Sequence, residues 1–128
     1  MIIIPSSAIQ REYYAEVLRV LDGDTIDVLI NVGFNIFLQD RIRLYGVNTP
    51  ETRTKDLKEK AAGMKAKQFV VSALFCKKIK IRTIKKGKYG RYLAMVYIPT
   101  ASNNGDYCDL NNTLLLKGLA TEYYGGKR

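Results

Sequence analysis

The chain contains no histidine and no tryptophan, and it has only two cysteines and three prolines among its 128 residues. Imidazole is the usual general base near neutral pH and a frequent zinc ligand, so Ser-His-Asp triads, Cys-His dyads and histidine-containing zinc sites are excluded. Cys76 and Cys108 lie far from any C-x-x-C spacing, and two thiolates cannot complete a four-cysteine site. We therefore expect two free thiols in a reducing compartment.

Long apolar segments are also missing. The short run over residues 2–4 has no basic residue before it and is broken by Pro5, unlike the apolar region of a secretory signal peptide. No stretch of the chain is long and apolar enough to cross a bilayer. These absences predict a cytoplasmic protein that is not exported by a standard signal and that makes no contact with a membrane.

What the chain has in excess is positive charge. Its 21 lysines and arginines outnumber its 12 acidic residues, which gives a formal net charge of +9. Such a charge attracts polyanions, and nucleic acid is the polyanion that a basic domain most often binds. A generically solvated basic surface is the alternative. With 47% hydrophobic residues, we expect one domain over residues 1–128 that folds without staples, and a flexible arm over residues 1–11.

Hydrophobic periodicity predicts three strands, a helix, two strands and a second helix. Alternating residues indicate strands over residues 13–21, 26–30, 37–45, 79–82 and 92–98. Between residues 56 and 77 the spacing becomes helical; Asp56 and Glu59 suit a capping box, and the inward positions are Ala62, Ala66, Phe69, Val70 and Ala73.

The second helix is expected to begin after Asp109 and to end at Gly118. This order of elements fits a mainly β, α+β class domain: a five-stranded OB-type barrel with a helix between strands three and four and one or two helices at the C-terminal end. An open α+β sheet with helices on one face is the alternative. Periodicity alone does not separate the two.

Residues that can do chemistry fall at strand ends and turns, where a rigid scaffold holds them open to solvent. Oxygen atoms of Asp24 and Asn48 suit a hard cation such as Ca²⁺ or Mg²⁺. Arg43 and Arg91 are candidates for gripping a phosphate, and Glu51 is a candidate for orienting or deprotonating water. Each signal is weak alone, because Asp-Gly is first a turn signal and surface arginines are common.

Taken together, these residues lie in stretches that resemble the signatures of a known family. Residues 20–25 (VLDGDT), 43–52 (RLYGVNTPET) and 88–94 (KYGRYLA) are similar to three signature stretches of the staphylococcal nuclease-like, or thermonuclease, family. A looser match covers residues 111–124. The resemblance runs over roughly residues 13–124 and implies an OB-fold, Ca²⁺-dependent endonuclease that acts on DNA and RNA and leaves 3′-phosphate ends.

The resemblance also implies roles for single residues. Asp24 and the backbone carbonyl of Thr49 would be metal ligands, Asn48 would occupy the place of a second carboxylate ligand, and Asp22 would lie behind the ligands. Arg43 and Arg91 would be the phosphate clamps, and Glu51 would position or activate water. The residues that would hold the nucleotide, with single-stranded substrate favoured, are Lys88, Tyr89 and Tyr124.

The chain departs from the family pattern at three positions. Asn48 replaces an aspartate, which predicts weaker Ca²⁺ binding or a shift toward Mg²⁺ or Mn²⁺. Gly126 replaces a second nucleotide-stacking tyrosine, and Gly87 replaces an aspartate, so the grip on substrate is expected to be looser. A non-catalytic nucleic-acid-binding OB module is the main alternative function, and a purely structural OB module is a third. No protein partner is predicted.

Overall fold

The computed structural model describes residues 11–75, 78–87, 90–100 and 105–124. In chain order, the elements within these ranges are β1 (Glu12–Asp22), β2 (Thr25–Asn31), β3 (Phe37–Leu44), β4 (Gly46–Asn48), α1 (Leu57–Ala73), β5 (Lys78–Lys86), β6 (Tyr92–Pro99), β7 (Tyr107–Asp109), α2 (Leu110–Leu116) and β8 (Thr121–Tyr123). Across the described ranges, no helix has both the length and the apolar character needed to cross a membrane.

Five strands close into a barrel. β3, β2, β1, β5 and β6 are neighbours in one antiparallel sheet, and a parallel pairing of β3 with β6, which sets Ile42 opposite Tyr92 and Leu44 opposite Ala94, closes the ring. The OB-type prediction is therefore confirmed, and the open-sheet alternative is wrong. Short strands were not predicted: β7 extends the sheet at the edge of β6, and β4 pairs with β8.

The core follows the alternation that the sequence predicted. Ile26, Val28 and Ile30 of β2 are buried, as are Ile42 and Leu44 of β3. Helix α1 packs on β1 and α2 packs on β6, each through apolar side chains that join the same cluster. The outward positions of β2 and β3, among them Asp27, Arg41 and Arg43, are left for polar contacts.

Helix α1 begins as predicted but ends earlier and faces the barrel differently. The Asp56 carboxylate accepts hydrogen bonds from the backbone N–H groups of Lys58 and Glu59, yet Glu59 does not complete a capping box. The helix ends at Ala73 rather than near residue 77. Ala62, predicted to face inward, is exposed because Gly63, Ala66 and Val70 form the buried stripe.

Asn111, at the start of α2, ties that helix to two strands. Its Oδ1 accepts from the Val96 N–H at 3.1 Å, and its Nδ2 donates to the carbonyls of Tyr45 and Ala94 at 2.8 and 3.1 Å. The carboxylate of Asp109 caps the helix. Gly118 follows the helix with a φ of +70°, as the sequence predicted, because this left-handed conformation favours glycine.

Of the predicted arm over residues 1–11, the structure describes Arg11. Arg11 is not loose: its N–H donates to Thr83 Oγ1 at 3.1 Å, and the Thr83 N–H donates to its carbonyl at 2.9 Å, because the chain already runs beside β5 there. Residues 1–10 lie outside the described residues, so the arm remains a prediction for them.

Cys108 is an exposed free thiol, and Cys76 lies outside the described residues.

Candidate active site

The turn between β1 and β2 carries two aspartates and is pressed closely against the rest of the fold. A Cβ atom on Gly23 would lie 2.9 Å from Thr49 Cγ2 and 3.0 Å from Ala66 Cβ, so only glycine allows this approach. The glycine of the Asp-Gly-Asp sequence therefore does more than form a turn. It seats Asp22 and Asp24 between helix α1 and the segment that follows β4.

Asp24 is held in one orientation by its neighbours. Its side chain is almost fully buried, Oδ1 accepts a hydrogen bond from Thr25 Oγ1 at 3.0 Å, and Oδ2 accepts one from the Thr49 N–H at 3.1 Å. Arg43 Nη2 lies 3.8 Å from Oδ2. The two hydrogen bonds and the nearby positive charge therefore hold this buried carboxylate in one orientation.

Arg43 reaches the same place from the outward face of β3. Its Nη2 lies 3.4 Å from both the Val47 carbonyl and Asn48 Oδ1, and the guanidinium carbon lies 5.4 Å from the centre of the Tyr123 ring. The side chain keeps 19% of its surface exposed. The guanidinium thus stays accessible to an anion in the cleft while its position is constrained on several sides.

The residues around Asp24 carry further oxygen atoms: the Thr49 N–H binds Asp24, and Arg43 contacts both Asp24 and Asn48. Asn48 supplies an amide oxygen, and Thr49 supplies a carbonyl and a hydroxyl; the buried Thr49 Oγ1 has no hydrogen-bond partner among the described residues. Oxygen donors of this kind fit a hard divalent cation. Within the described ranges no three acidic or cysteine side chains are grouped as a metal site, so neutral oxygens would complete the set.

Glu51 lies on an exposed loop that packs against helix α1. Its N–H donates to Glu59 Oε1 at 3.5 Å, so Glu59 braces this loop instead of its own helix cap. A Cβ atom on Gly63 would lie 2.6 Å from the Pro50 carbonyl oxygen and 2.7 Å from that of Glu51. The backbone of the helix therefore packs directly on the backbone that carries Glu51.

These elements meet in a polar cleft of about 260 Å³ at one end of the barrel. The predicted site residues that line it are Asp22, Asp24, Arg43, Thr49, Glu51 and Arg91. Asn48 lies beside the cleft, in contact with Arg43. Asp22 accepts a 2.6 Å hydrogen bond from Thr52 Oγ1, a contact that fits a supporting position for Asp22.

Of the predicted nucleotide-binding residues, the structure describes Tyr124, which does not line this cleft. Tyr124 lies next to it: its ring makes an edge contact with Tyr45, with centroids 5.5 Å apart, and packs close to Gly46. The ring is 61% exposed and borders a small hollow that Arg43 also lines. Lys88 and Tyr89 lie outside the described residues, so their role stays a prediction.

Sequence reasoning missed several residues of the site. Thr52, Glu59 and Gly63 support the Asp22 and Glu51 segments, and Tyr123 covers one side of Arg43. A glycine inside a helical pattern is the one signal that could have been used, because glycine in a helix interior costs about 1 kcal/mol relative to alanine and so calls for a packing reason.

Next to the cleft, Asp27 and Arg41 form a charged pair on the outer face of the barrel. Arg41 Nε donates to Asp27 Oδ1 at 2.8 Å, and this hydrogen bond is the main reason why the pKa of Asp27 lies below its usual value; partial burial opposes the shift. The positive charges of Arg41, Arg19 and Arg91 add to it. Arg91 itself lines both the cleft and the shallow depression beside this pair.

A closed five-stranded barrel with a cleft of arginines and carboxylates at one end defines an OB-fold protein. The model of the family described as "Staphylococcal nuclease homologue" matches residues 41–128. Since this match covers more than half of the chain, the chain belongs to the staphylococcal nuclease-like family.

Individual relatives agree with the family match. The "Micrococcal nuclease" of Shigella flexneri is 31% identical over 130 residues, which cover 99% of this chain and 68% of the relative. The "Thermonuclease" of Staphylococcus hyicus is 35% identical, with 73% of this chain and 52% of the relative covered. An "Uncharacterized endonuclease" of Escherichia coli O157:H7 is 30% identical, with 88% and 62% covered. The chain thus spans between about half and two thirds of these relatives.

Proposed function

We propose that the protein is a metal-dependent endonuclease that hydrolyses phosphodiester bonds of DNA, RNA or both and leaves 3′-phosphate ends. The observation that carries the proposal is the polar cleft, which gathers Asp24, Arg43, Glu51 and Arg91. Membership of a family whose relatives include proteins named nucleases supports it. The net charge of +9 is appropriate for a polyanionic substrate.

Arg43 and Arg91 are proposed to bind the phosphate that is cleaved. A guanidinium offers planar, paired N–H donors that match two phosphate oxygens, and its charge offsets the negative charge that grows on them as a nucleophile attacks. Arg43 is held at the inner side of the cleft, near Asp24, whereas Arg91 is exposed. The two arginines thus differ in exposure, with Arg43 the more enclosed by the fold.

Glu51 is proposed to position or deprotonate the attacking water. Its carboxylate is borne by an exposed loop at the cleft, where water has access, while its backbone is braced by Glu59 and by the close contact with Gly63. A general base must lie within hydrogen-bond reach of the proton that it removes, so a fixed backbone and an accessible carboxylate suit the role.

Asp24, Asn48 and Thr49 are proposed to hold the cation. The cation, when bound, would supply positive charge beside the phosphate and favour deprotonation of water. Ca²⁺ is the first candidate, and Mg²⁺ or Mn²⁺ are the alternatives because Asn48 brings no charge. The buried Thr49 hydroxyl, which lacks a partner among the residues described, supports the presence of a polar ligand at this place.

Lys88, Tyr89 and Tyr124 are proposed to contact the nucleotide next to the cleaved bond. Tyr124 presents a largely exposed ring beside the Arg43 side of the cleft, where an unpaired base could stack. Stacking of this kind favours single-stranded DNA or RNA, because the bases of a duplex are already stacked on one another.

The experiment is cleavage of a supercoiled plasmid and of end-labelled single strands with Ca²⁺, Mg²⁺, Mn²⁺ or EDTA. Cleavage with at least one cation and none with EDTA is expected, and the product strands should become primer substrates only after phosphatase treatment, since a 3′-phosphate blocks extension. Binding should persist in EDTA and weaken steeply with salt as counterions are released.

The main competing function is a nucleic-acid-binding module without activity. It predicts that pure protein retards DNA yet leaves it intact with all three cations. Glu51→Gln provides the control for a contaminating nuclease, because activity that belongs to this chain should fall strongly in that variant while a contaminant would cut equally well in both preparations.

A further inference from the structure

The aromatic ring of Tyr123 packs against the guanidinium group of Arg43. Its ring centre lies 5.4 Å from the guanidinium carbon, within the range of a cation–π contact. The ring is placed there by β8, which pairs with β4 so that Tyr123 lies opposite Gly46 and Thr121 lies opposite Asn48. The short β4–β8 pair thus connects the chain near its C-terminal end to the Arg43 side of the cleft.

Arg43 depends on this packing because its polar contacts are long. The distances from Nη2 to the Val47 carbonyl and to Asn48 Oδ1 are both 3.4 Å, and the distance to Asp24 Oδ2 is 3.8 Å. Good N–H···O hydrogen bonds measure about 2.7–3.2 Å, so these contacts restrain the guanidinium only weakly. All of them also use one nitrogen, which leaves rotation of the guanidinium plane unopposed by hydrogen bonds within the described part of the chain.

We infer that Tyr123 is a positioning residue for Arg43, holding the guanidinium plane at the orientation in which its outer N–H groups meet a phosphate in the cleft. The inference rests on the proposed function in one respect: Arg43 must act on the phosphate. It goes beyond that function because Tyr123 does not line the cleft, and no role follows for it from the looser motif match over residues 111–124. Its consequence is a dependence of catalysis on a residue that need not touch substrate.

The kinetic test compares a substitution that keeps the aromatic face with one that keeps only bulk. Tyr123→Leu is expected to lower kcat about tenfold with little change in KM, since the lost contact matters when charge develops on the phosphate. Tyr123→Phe should retain kcat to within about twofold of wild type, because the ring rather than the hydroxyl faces Arg43. Tyr107→Leu is the matched control: it removes a similar contact, with Lys80 at 4.5 Å, outside the cleft.

A double-mutant cycle asks whether Tyr123 acts through Arg43. In an Arg43→Ala background, assayed at an enzyme concentration high enough to measure the residual rate, Tyr123→Leu should lower kcat no further. An equal tenfold loss in that background would overturn the inference, because Tyr123 would then act independently of the arginine. A rise in KM with kcat unchanged would overturn it too, since it would make the ring a stacking surface for substrate.

A spectroscopic readout separates failure of this inference from failure of the proposed function. In ¹⁵N-labelled protein, the Arg43 Nε–H resonance, identified by its disappearance in Arg43→Ala, should shift in Tyr123→Leu because the ring current is lost, and should stay near its wild-type position in Tyr123→Phe. If the protein cuts nothing but shows these shifts, the contact stands and the nuclease proposal fails. If the protein cleaves nucleic acid and the Arg43 Nε–H resonance does not shift in Tyr123→Leu, the positioning role is wrong.

Discussion

Two hollows in the described part of the barrel have opposite linings, one apolar and one polar, and the larger of these two is not the candidate active site. A groove of about 390 Å³, lined largely by apolar and aromatic residues including Tyr14, Phe37 and Tyr107, lies near Ala15 of β1. The polar cleft of about 260 Å³ lies at Asp22, seven residues further along the same strand, which is about 23 Å for an extended chain. Volume and apolar lining favour the groove, whereas the proposed catalytic residues line the cleft, so the two criteria point to different parts of this barrel.

What distinguishes the cleft is the way its polar groups are fixed. Asp24 is held by two hydrogen bonds, and two glycines let backbone segments approach so closely that a methyl group would not fit. The β2–β3 connection near the groove is built in the opposite way: Phe34 is 96% exposed at a φ of +56°. Convergent, immobilised charge is therefore a better indicator of chemistry here than an open apolar surface.

Substitutions in the polar cleft and in the apolar groove test the difference between them most directly. Arg43→Ala, Arg91→Ala and Glu51→Gln should each lower kcat/KM at least about a hundredfold, because loss of one preorganised group at a developing charge costs about 3–4 kcal/mol. Tyr14→Ala, in the groove, should leave the rate within about twofold of wild type. The measurement is steady-state cleavage of a single-stranded oligonucleotide, with thermal unfolding as the control.

The thermal midpoints should change little, since none of the three cleft residues is part of the apolar core. An inactive variant that is also largely unfolded would show that its residue has a structural role. A loss of activity in Tyr14→Ala comparable to that in the cleft variants would move the active region to the other end of the barrel.

Substitution of Asn48 can add negative charge next to the proposed cation site. Asn48→Asp should tighten Ca²⁺ binding by about one to two orders of magnitude, because it places a full negative charge beside the cation. Calorimetric titration of both proteins measures this directly. Asn112→Asp, exposed on α2, adds the same charge elsewhere and should have little effect. Equal or weaker affinity in Asn48→Asp would show that residue 48 does not face the cation.

The close contact between α1 and the Glu51 loop can be opened by one methyl group. Gly63→Ala should lower kcat about tenfold, since the new Cβ would have to displace the Pro50 and Glu51 carbonyl oxygens, now 2.6 and 2.7 Å from its position, and shift Glu51 with them. Ser72→Ala, exposed on the same helix, is the control for helix propensity. An unchanged kcat in a folded Gly63→Ala protein would show that the loop adapts without moving the carboxylate.

The smallest expected effect concerns the charged pair outside the cleft. The Arg41 hydrogen bond holds the pKa of folded Asp27 below its ordinary value of 3.8, so the pair contributes stability above that value, and the contribution is lost as the pH falls through the folded-state pKa. Asp27→Asn should therefore flatten the acid limb of a plot of unfolding free energy against pH. The effect is small because both side chains are partly exposed.

Denaturant titrations between about pH 2 and 6 measure this difference, in the range where an aspartate titrates. Cleavage near neutral pH should be the same in Asp27→Asn and wild type. A marked loss of activity would extend the functional region from the cleft onto the Arg41 side of the barrel.

The sequence by itself determined the five barrel strands and their inward faces, and it named several of the residues that line the cleft. Alternation of apolar residues is local, so β2 and β3 and their buried positions could be predicted, and the motifs named six residues that line one cleft. The short strands β4, β7 and β8 carried no such signal, because three-residue strands exist only through their partners. The inward orientation predicted for Ala62 is wrong because the neighbouring Gly63, which packs against the loop at Pro50 and Glu51, belongs to the buried face of the helix.

Only the tertiary structure decided how the barrel closes and which side chains support the cleft. The parallel pairing of β3 with β6 and the anchoring of the cleft loops join residues far apart in the chain, and no local pattern encodes such contacts. Tyr123 illustrates the limit: in sequence it is one of two adjacent tyrosines, and the register of β8 against β4 alone turns it toward Arg43. Periodicity reports which face a residue occupies, whereas packing between distant segments decides what that face meets.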